Sequence, residues 1–256
     1  SGVKELLVHG RVDAAHMLSP MPFASALGAD GRPAELRLGL IQNVSGQALT
    51  VARRHDGARE ARDMRGFVFG VPYLYSIQYY LLCDWLARQG LDPRTDASIV
   101  EVAPPLMPYH MRRGELDAML APEPYNEIAV LEGTGRVLAF SSELWPGHPC
   151  CAFATTEAFI ASHPSTWRAL VRSIVEAQRD LHLAGEDRRA AISAEISELA
   201  GWRGARAEAV ARVLAGVHLD ERGSARAVPR RIDFLPYPTP GVGIWILSQM
   251  QRWGHV

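Results

Sequence analysis

At 256 residues and 48% hydrophobic composition, the chain can bury a substantial core in one large or two medium domains. Its 27 Lys and Arg against 28 Asp and Glu give a net charge of -1, and the absence of a basic stripe argues against DNA or another polyanion as partner. No run reaches the roughly 18 to 20 apolar residues that a membrane-spanning helix needs, and no signal-peptide pattern is visible.

In chain order, the pattern predicts a helix over 3–8, a strand over 13–18, a helix over 23–27, and strands over 36–41 and 48–52. Apolar runs bounded by Gly and Pro fit parallel strands buried on both faces. Residues 53–65 are charged and read as a linker between lobes. A strand over 66–72 then meets a helix over 76–89, which Gly90 ends ahead of a Leu91-Asp92-Pro93 turn. Strands over 98–102, 118–120 and 136–140 alternate with helices over 106–113 and 127–131, so the class is α/β with a mainly parallel sheet.

A strand over 150–155 returns to the first lobe. The amphipathic helix after it opens at Pro164-Ser165 and carries Trp167, Leu170, Val171, Ile174 and Val175 at helical spacing. Helical patterns follow over 188–199 and 206–217. The last, over 242–253, sets Trp245, Ile246, Gln249, Met250 and Trp253 on one face; these stripes read as core packing in preference to an aromatic ligand box.

One unit occurs twice. Gly10-Arg11-Val12-Asp13-Ala14 and Gly114-Glu115-Leu116-Asp117-Ala118 each cap a helix with Gly and feed a strand through Asp-Ala, and each strand runs into a Pro-rich turn. Open α/β sheets place ligands at such strand ends, so the repeat predicts a two-lobed binder. Five polar turns supply the candidates: 16–22 with His16, 45–47 with Gln47, 73–78 with Ser76 and Gln78, 123–126 with Glu123 and Tyr125, and 143–148 with Trp145 and His148.

Each candidate has a plainer alternative. Ser76 is placed to cap the following helix, and the same geometry leaves backbone N–H groups free for a small anion. Gln47 can donate an amide N–H to an oxyanion or sit in a surface turn. Glu123, between two prolines, can meet a cation, accept from a ligand, or cap the helix at Asn126. Cys83, Cys150 and Cys151 make no spaced disulfide framework, and the adjacent pair reads as two small buried residues in preference to the alternative of a vicinal Cys150-Cys151 bridge. Adjacent cysteines chelate a metal poorly, so His148, Cys150, Cys151, His16 and His110 are not assigned one. Neither Gly-x-Ser-x-Gly, Gly-x4-Gly-Lys-Ser/Thr nor His-Glu-x2-His occurs, and no catalytic residue or cofactor is expected.

Longer strings carry a family resemblance. Asp13-Ala14-Ala15-His16-Met17-Leu18-Ser19-Pro20-Met21-Pro22, Gly46-Gln47-Ala48-Leu49-Thr50, Ala103-Pro104-Pro105-Leu106-Met107, Glu123-Pro124-Tyr125-Asn126, Leu144-Trp145-Pro146-Gly147-His148-Pro149-Cys150-Cys151-Ala152-Phe153 and the closing Trp245 to Gly254 run resemble the nitrate and bicarbonate substrate-binding proteins of ABC transporters. The resemblance implies a two-lobed periplasmic-binding-protein fold of the second type. Lobe I would comprise 1–52 and 144–256 and lobe II 66–142, with hinge or linker segments at 53–65 and 141–149. It further implies a small oxyanion in the cleft, an ABC permease as partner, and a periplasmic location, lipid-anchored or not. Gln47 would contribute its amide to the ligand, and Glu123, Pro124, Tyr125 and Asn126 would line the cleft.

The chain departs from the family twice. The His-Asn pair usual after Ser76 is replaced by Gln78-Tyr79, which puts nitrate specificity in doubt, and the family's opening strand, helix and strand of lobe I are not in this chain. Two other functions belong to the same fold: a cytoplasmic nitrate or nitrite sensor that controls a regulatory partner, and a pyrimidine-precursor synthase, whose Cys-rich motif Cys150-Cys151-Ala152-Phe153 resembles faintly.

Overall fold

The protein is represented by a computed structural model in which residues 2–220 and 223–256 are described. The first half runs α1 (Gly2–Val8), β1 (Ala14–Leu18), α2 (Met21–Leu27), β2 (Leu36–Ser45), β3 (Gln47–Ala52), β4 (Val68–Val71), α3 (Ile77–Arg88), β5 (Ser98–Glu101), α4 (Met107–Arg112) and β6 (Ala118–Pro122). It continues with α5 (Tyr125–Leu131), β7 (Gly135–Phe140), α6 (Ser141–Leu144), β8 (Pro149–Thr156), α7 (Glu157–Ser162) and α8 (Pro164–Leu183). The chain closes with α9 (Glu186–Leu199), α10 (Ala205–Ala215), β9 (Val217–Leu219), β10 (Ala225–Ala227), β11 (Ile232–Asp233) and α11 (Pro240–Arg252).

Two sheets organise these elements. The first has the order β1-β8-β2-β11 and the second β5-β4-β6-β3-β7, with β9 and β10 as a separate pair. Central position follows burial. All six residues of β3 are buried between β6 and β7, whereas β5, an edge strand, buries none of its four fully. Strand β4 pairs in parallel with β5 and β6, and α3 and α4 provide the crossovers that parallel pairing requires.

Strand direction departs from the expected mainly parallel arrangement. In the second sheet β3 alone opposes its neighbours, while every pairing of the first sheet is antiparallel because β8 returns between β1 and β2. An apolar run buried on both faces records burial and not direction.

The lobe boundaries also differ from expectation. β2 belongs to the first sheet and β3 to the second, so the chain crosses at Ser45-Gly46-Gln47 and not within 53–65. Ser45 and Gly46 both adopt left-handed backbone, at φ 57° and 76°. Residues 53–65 instead join two strands of one sheet, and Ala58, Ala61 and Met64 are buried in its core. The return crossing lies at 141–148, between β7 and β8. Within 144–256, α10 packs on α5, Val228 packs on Ala48 and Phe140, and α11 packs on α3, so these pieces cover the second sheet.

Local chemistry accounts for most helix ends. Ser76 Oγ accepts from Tyr79 N–H at 3.0 Å at the start of α3, a cap worth about 1 kcal/mol. Gly28 and Gly216 end α2 and α10 in left-handed conformation. On α11, Ile246, Met250 and Trp253 enter the core as the spacing predicts. The α8 stripe is only half covered: Leu170 stays exposed and Trp167, Val171, Ile174 and Val175 are partly buried. Trp167 stacks on Phe153 at 5.4 Å above Gly39, whose missing side chain makes room for the indole.

Candidate functional site

The twice-used Gly-x-Val/Leu-Asp-Ala unit sends its first copy into β1 of the first sheet and its second into β6 of the second. A cleft of about 660 Å³ lies where the two meet. Pro72, Pro104 and Pro122-Glu123 enter it just beyond β4 and β5 and at the end of β6, the carboxyl ends of three codirectional strands. His16 and Leu18 of β1, Gln42 and Asn43 of β2, and Cys150 and Cys151 of β8 face them, and α8 closes one side with Ile174, Gln178 and Leu181. Gln178 Nε2 donates to the carbonyls of Ile41 and Gln42 at 2.8 and 2.7 Å, which fixes α8 against β2.

Two neutral amides lie fully buried behind the cleft wall at Cys150. Gln78, in the first turn of α3, is fully buried and points Nε2 at Cys150 Sγ, 3.9 Å away, while its Oε1 has no partner. Gln47 opens β3 immediately after the crossover; it is fully buried and neither Oε1 nor Nε2 makes a well-formed hydrogen bond, although the amide lies close enough to Cys150 to act on its thiol. The Cys150 thiol is drawn below its ordinary range because Cys151 donates to it against the opposing effect of burial, helped by the amides of Gln47, Asn43 and Gln78. Burying polar atoms without partners costs on the order of 1–3 kcal/mol each, a cost a hydrogen-bonding ligand would remove.

The other predicted residues are placed as follows. His16 lines the cleft, and burial lowers its pKa against a raising bond to Gln42. Ser76 caps α3 beneath the Gln78 turn. Glu123 reaches the cleft wall, but Arg231 holds its Oε1 through Nη2 at 2.6 Å and Nε at 2.9 Å, and this carboxylate is 1% exposed. The helix-capping alternative survives in part, since Glu123 Oε2 accepts from Glu127 N–H at 3.4 Å. Tyr125 packs on the Met107 and Met111 cluster and faces a separate surface pocket with Arg206. Trp145 stacks near Trp245 at 4.3 Å and lines a different pocket with α3 and α11. His148 is fully buried and does not line the cleft; Nδ1 donates to Pro149 O at 3.0 Å, Nε2 has no partner, and burial pushes its pKa down to about 4. Thus of the predicted residues only His16 and Glu123 line the cleft; Gln47 and Gln78 lie buried behind Cys150, Ser76 caps α3, and Tyr125, Trp145 and His148 are not brought to it.

Sequence reasoning passed over several residues here. Cys150 and Cys151 line the cavity, Asn43 and Gln178 present amides to it, and Arg231 neutralises Glu123 and Glu127. Gln178 had a readable signal, a polar residue three positions beyond Val175 on the apolar stripe of α8. Among the described residues no group of three His, Cys, Asp or Glu side chains is arranged to hold a metal, and no helix is long and apolar enough to cross a membrane.

Residues 1–199 match the NMT1-like family. The nitrate/nitrite binding protein NrtA of Nostoc sp. is 26% identical over 265 residues, covering 96% of this chain and 59% of that protein. The nitrate import ATP-binding protein NrtC of Synechocystis sp. is also 26% identical over 265 residues, of which this chain spans 39% of the length. Among solved structures, the periplasmic nitrate-binding protein NrtA from Synechocystis PCC 6803 superposes with a TM-score of 0.90 at 21% identity, covering all of this chain and 71% of that one. The alkanesulfonate-binding protein SsuA from Xanthomonas axonopodis pv. citri, bound to MOPS, superposes at 0.70 with 19% identity over 99% of this chain and 78% of that one. The chain belongs to the NMT1-like family and has the fold of the nitrate-type periplasmic substrate-binding proteins.

Proposed function

We propose that the chain is the solute-binding component of an ABC importer and captures a small oxyanion, nitrate-like or bicarbonate-like, between its two sheets in the periplasm. The observation that carries this reading is the cleft between the two sheets, lined by His16, Asn43 and Cys150, with the amides of Gln47 and Gln78 buried directly behind Cys150 and three of their four polar atoms lacking hydrogen-bond partners. Amide N–H groups and a helix N-terminus hold an oxyanion without a formal cation. Glu123 is not a ligand contact in this reading, because Arg231 already occupies it.

Capture needs the sheets to move relative to one another, and the crossings define where. Ser45 N–H donates to His148 O, Gly46 N–H to Arg231 O, and Glu123 N–H to Gly46 O, each at 2.8 Å, so the segments at 123, 148 and 231 are all tied to the Ser45-Gly46 crossing, which we take as the hinge line. Rotation about that line opens or shuts the cleft while keeping these bonds, and a solute touching both sides favours the shut state. Calorimetry with nitrate, nitrite, bicarbonate and an alkanesulfonate tests the reading. Binding of one of them, weakened at least tenfold by Gln47→Ala and by Gln78→Ala, is expected; no heat with any of the four would sink it.

A further inference from the structure

The two thiols on the cleft floor have no role in the reading above. On a regular strand adjacent side chains point to opposite faces. β8 breaks that rule at Cys150: Asn43 pairs with Cys151 and Val44 with Pro149, so Cys150 is the extra residue of a bulge. Both sulphurs consequently turn to one side, 3.4 Å apart, and both residues line the cleft.

We propose that Cys150 and Cys151 form a two-thiol seat, opening on the cleft, for a trivalent thiophile of the arsenic(III) class. The separation is far longer than the roughly 2.05 Å of a disulfide. It is also shorter than the about 3.8 Å that two sulphurs subtend on a tetrahedral zinc with 2.3 Å bonds. Pyramidal arsenic, with bond angles near a right angle, accepts two sulphurs almost in contact and needs no third protein ligand. Attack begins at Cys150, since the thiolate is the nucleophile and Cys151 together with the amides of Gln47, Asn43 and Gln78 favours that form there, whereas the same contact and burial hold the proton on Cys151 until the first S–As bond has formed. The third cysteine differs: Cys83 is fully buried in the core and its thiol is pushed up to about 12, burial being the main cause.

With phenylarsine oxide the step balances without oxidation or reduction. Two S–As bonds form, the As–O bond breaks, and the two thiol protons leave with the oxide as water. The seat stands independently of which solute the cleft carries.

The test is intact-mass spectrometry of the chain after phenylarsine oxide, followed by a challenge with excess 2-mercaptoethanol or with 2,3-dimercaptopropanol. One adduct per chain is expected, retained in the monothiol and removed by the dithiol. Cys150→Ser and Cys151→Ser should each lose the monothiol-resistant adduct. Peptide mapping of the unsubstituted chain, alkylated with iodoacetamide in urea after arsenical treatment so that burial shields no thiol, should show Cys150 and Cys151 protected together and Cys83 alkylated. No monothiol-resistant adduct, or protection of Cys83 or of one member of the pair alone, would overturn the proposal.

Discussion

Replacing Arg231 with Met tests how far the buried ion network behind the cleft supports the fold. The side chain of Arg231 is 0% exposed and bonds Glu123 through Nε and Nη2, Glu127 through Nη1 at 2.7 Å, and the carbonyl of Val217 at 3.0 Å. Once it is gone, Glu127 keeps Arg212 and His218, both at 3.2 Å, but Glu123 keeps only the weak donation from Glu127 N–H. One buried carboxylate is therefore stranded, and stranding a buried charge costs about 3–5 kcal/mol. Urea unfolding at pH 7 should show a loss of that size for Arg231→Met. Adding Glu123→Gln should recover much of it, because a pair removed together leaves no stranded charge.

The pH dependence gives a second handle on the same substitution. In the folded chain burial pushes Glu127 up, but the His218 bond and Arg231 outweigh it, so its pKa lies below the ordinary value. Glu127 thus stabilises the fold above its unfolded pKa of about 4.5, and that stability is lost as pH falls through the lower folded value. Arg231 is one of the groups that hold Glu127 low, so without it Glu127 takes up its proton at a higher pH, and the deficit of Arg231→Met should shrink as pH falls from 7 towards 4.5. A loss under about 1 kcal/mol, or a double variant no better than the single, would refute the reasoning.

Three further outcomes are expected. His148 is buried neutral at about 4 against an unfolded value near 6.5; the unfolded chain therefore binds the proton first, and stability should fall by up to about 3 kcal/mol between pH 6.5 and 4. Urea unfolding across that range should give a shallower slope for His148→Gln, and an unchanged slope would place the titration elsewhere. Gly39→Ala puts a Cβ 2.5 Å from the Trp167 ring; a loss of about 1–3 kcal/mol with a shift in tryptophan emission is expected, and a silent variant would contradict the packing of α8. Ser76→Ala should cost about 1 kcal/mol through the lost cap of α3, read by thermal unfolding.

What the sequence could reveal was whatever a few neighbouring residues decide. Ser76 before an apolar helical run, Gly114 before Asp-Ala, and the buried alternation of strands and helices all act within one turn or one strand, and they place α3, β6 and the α/β class. Sheet membership is not local. Ser45-Gly46 reads as a turn whether β2 and β3 share a sheet or, as here, belong to different ones, so the lobe boundary was set too late. Glu123 reads as an available carboxylate because its partner Arg231 lies 108 residues away. The adjacent cysteines read as filler because a one-residue bulge, invisible in composition, turns both towards the cleft.

The same network bears on how an anion would be held. Among the described residues lining the cleft there is no Lys or Arg, and Arg231, which holds the lining residue Glu123, is consumed by Glu123 and Glu127; the amide of Asn43 at the cleft surface and those of Gln47 and Gln78 behind Cys150 remain as donors. A site clamped by an exposed cation loses affinity as salt rises, since ions screen charges beyond about 8 Å at physiological strength. Buried neutral donors act at contact distance and are screened little. For whichever oxyanion binds, the Kd measured by calorimetry should therefore change less than about threefold between low salt and 0.5 M sodium gluconate, whose anion is too bulky to imitate a three- or four-atom oxyanion. A weakening of tenfold or more would mean that a cation, and not the amides of Asn43, Gln47 and Gln78, supplies the attraction, and would overturn their assignment as the principal donors.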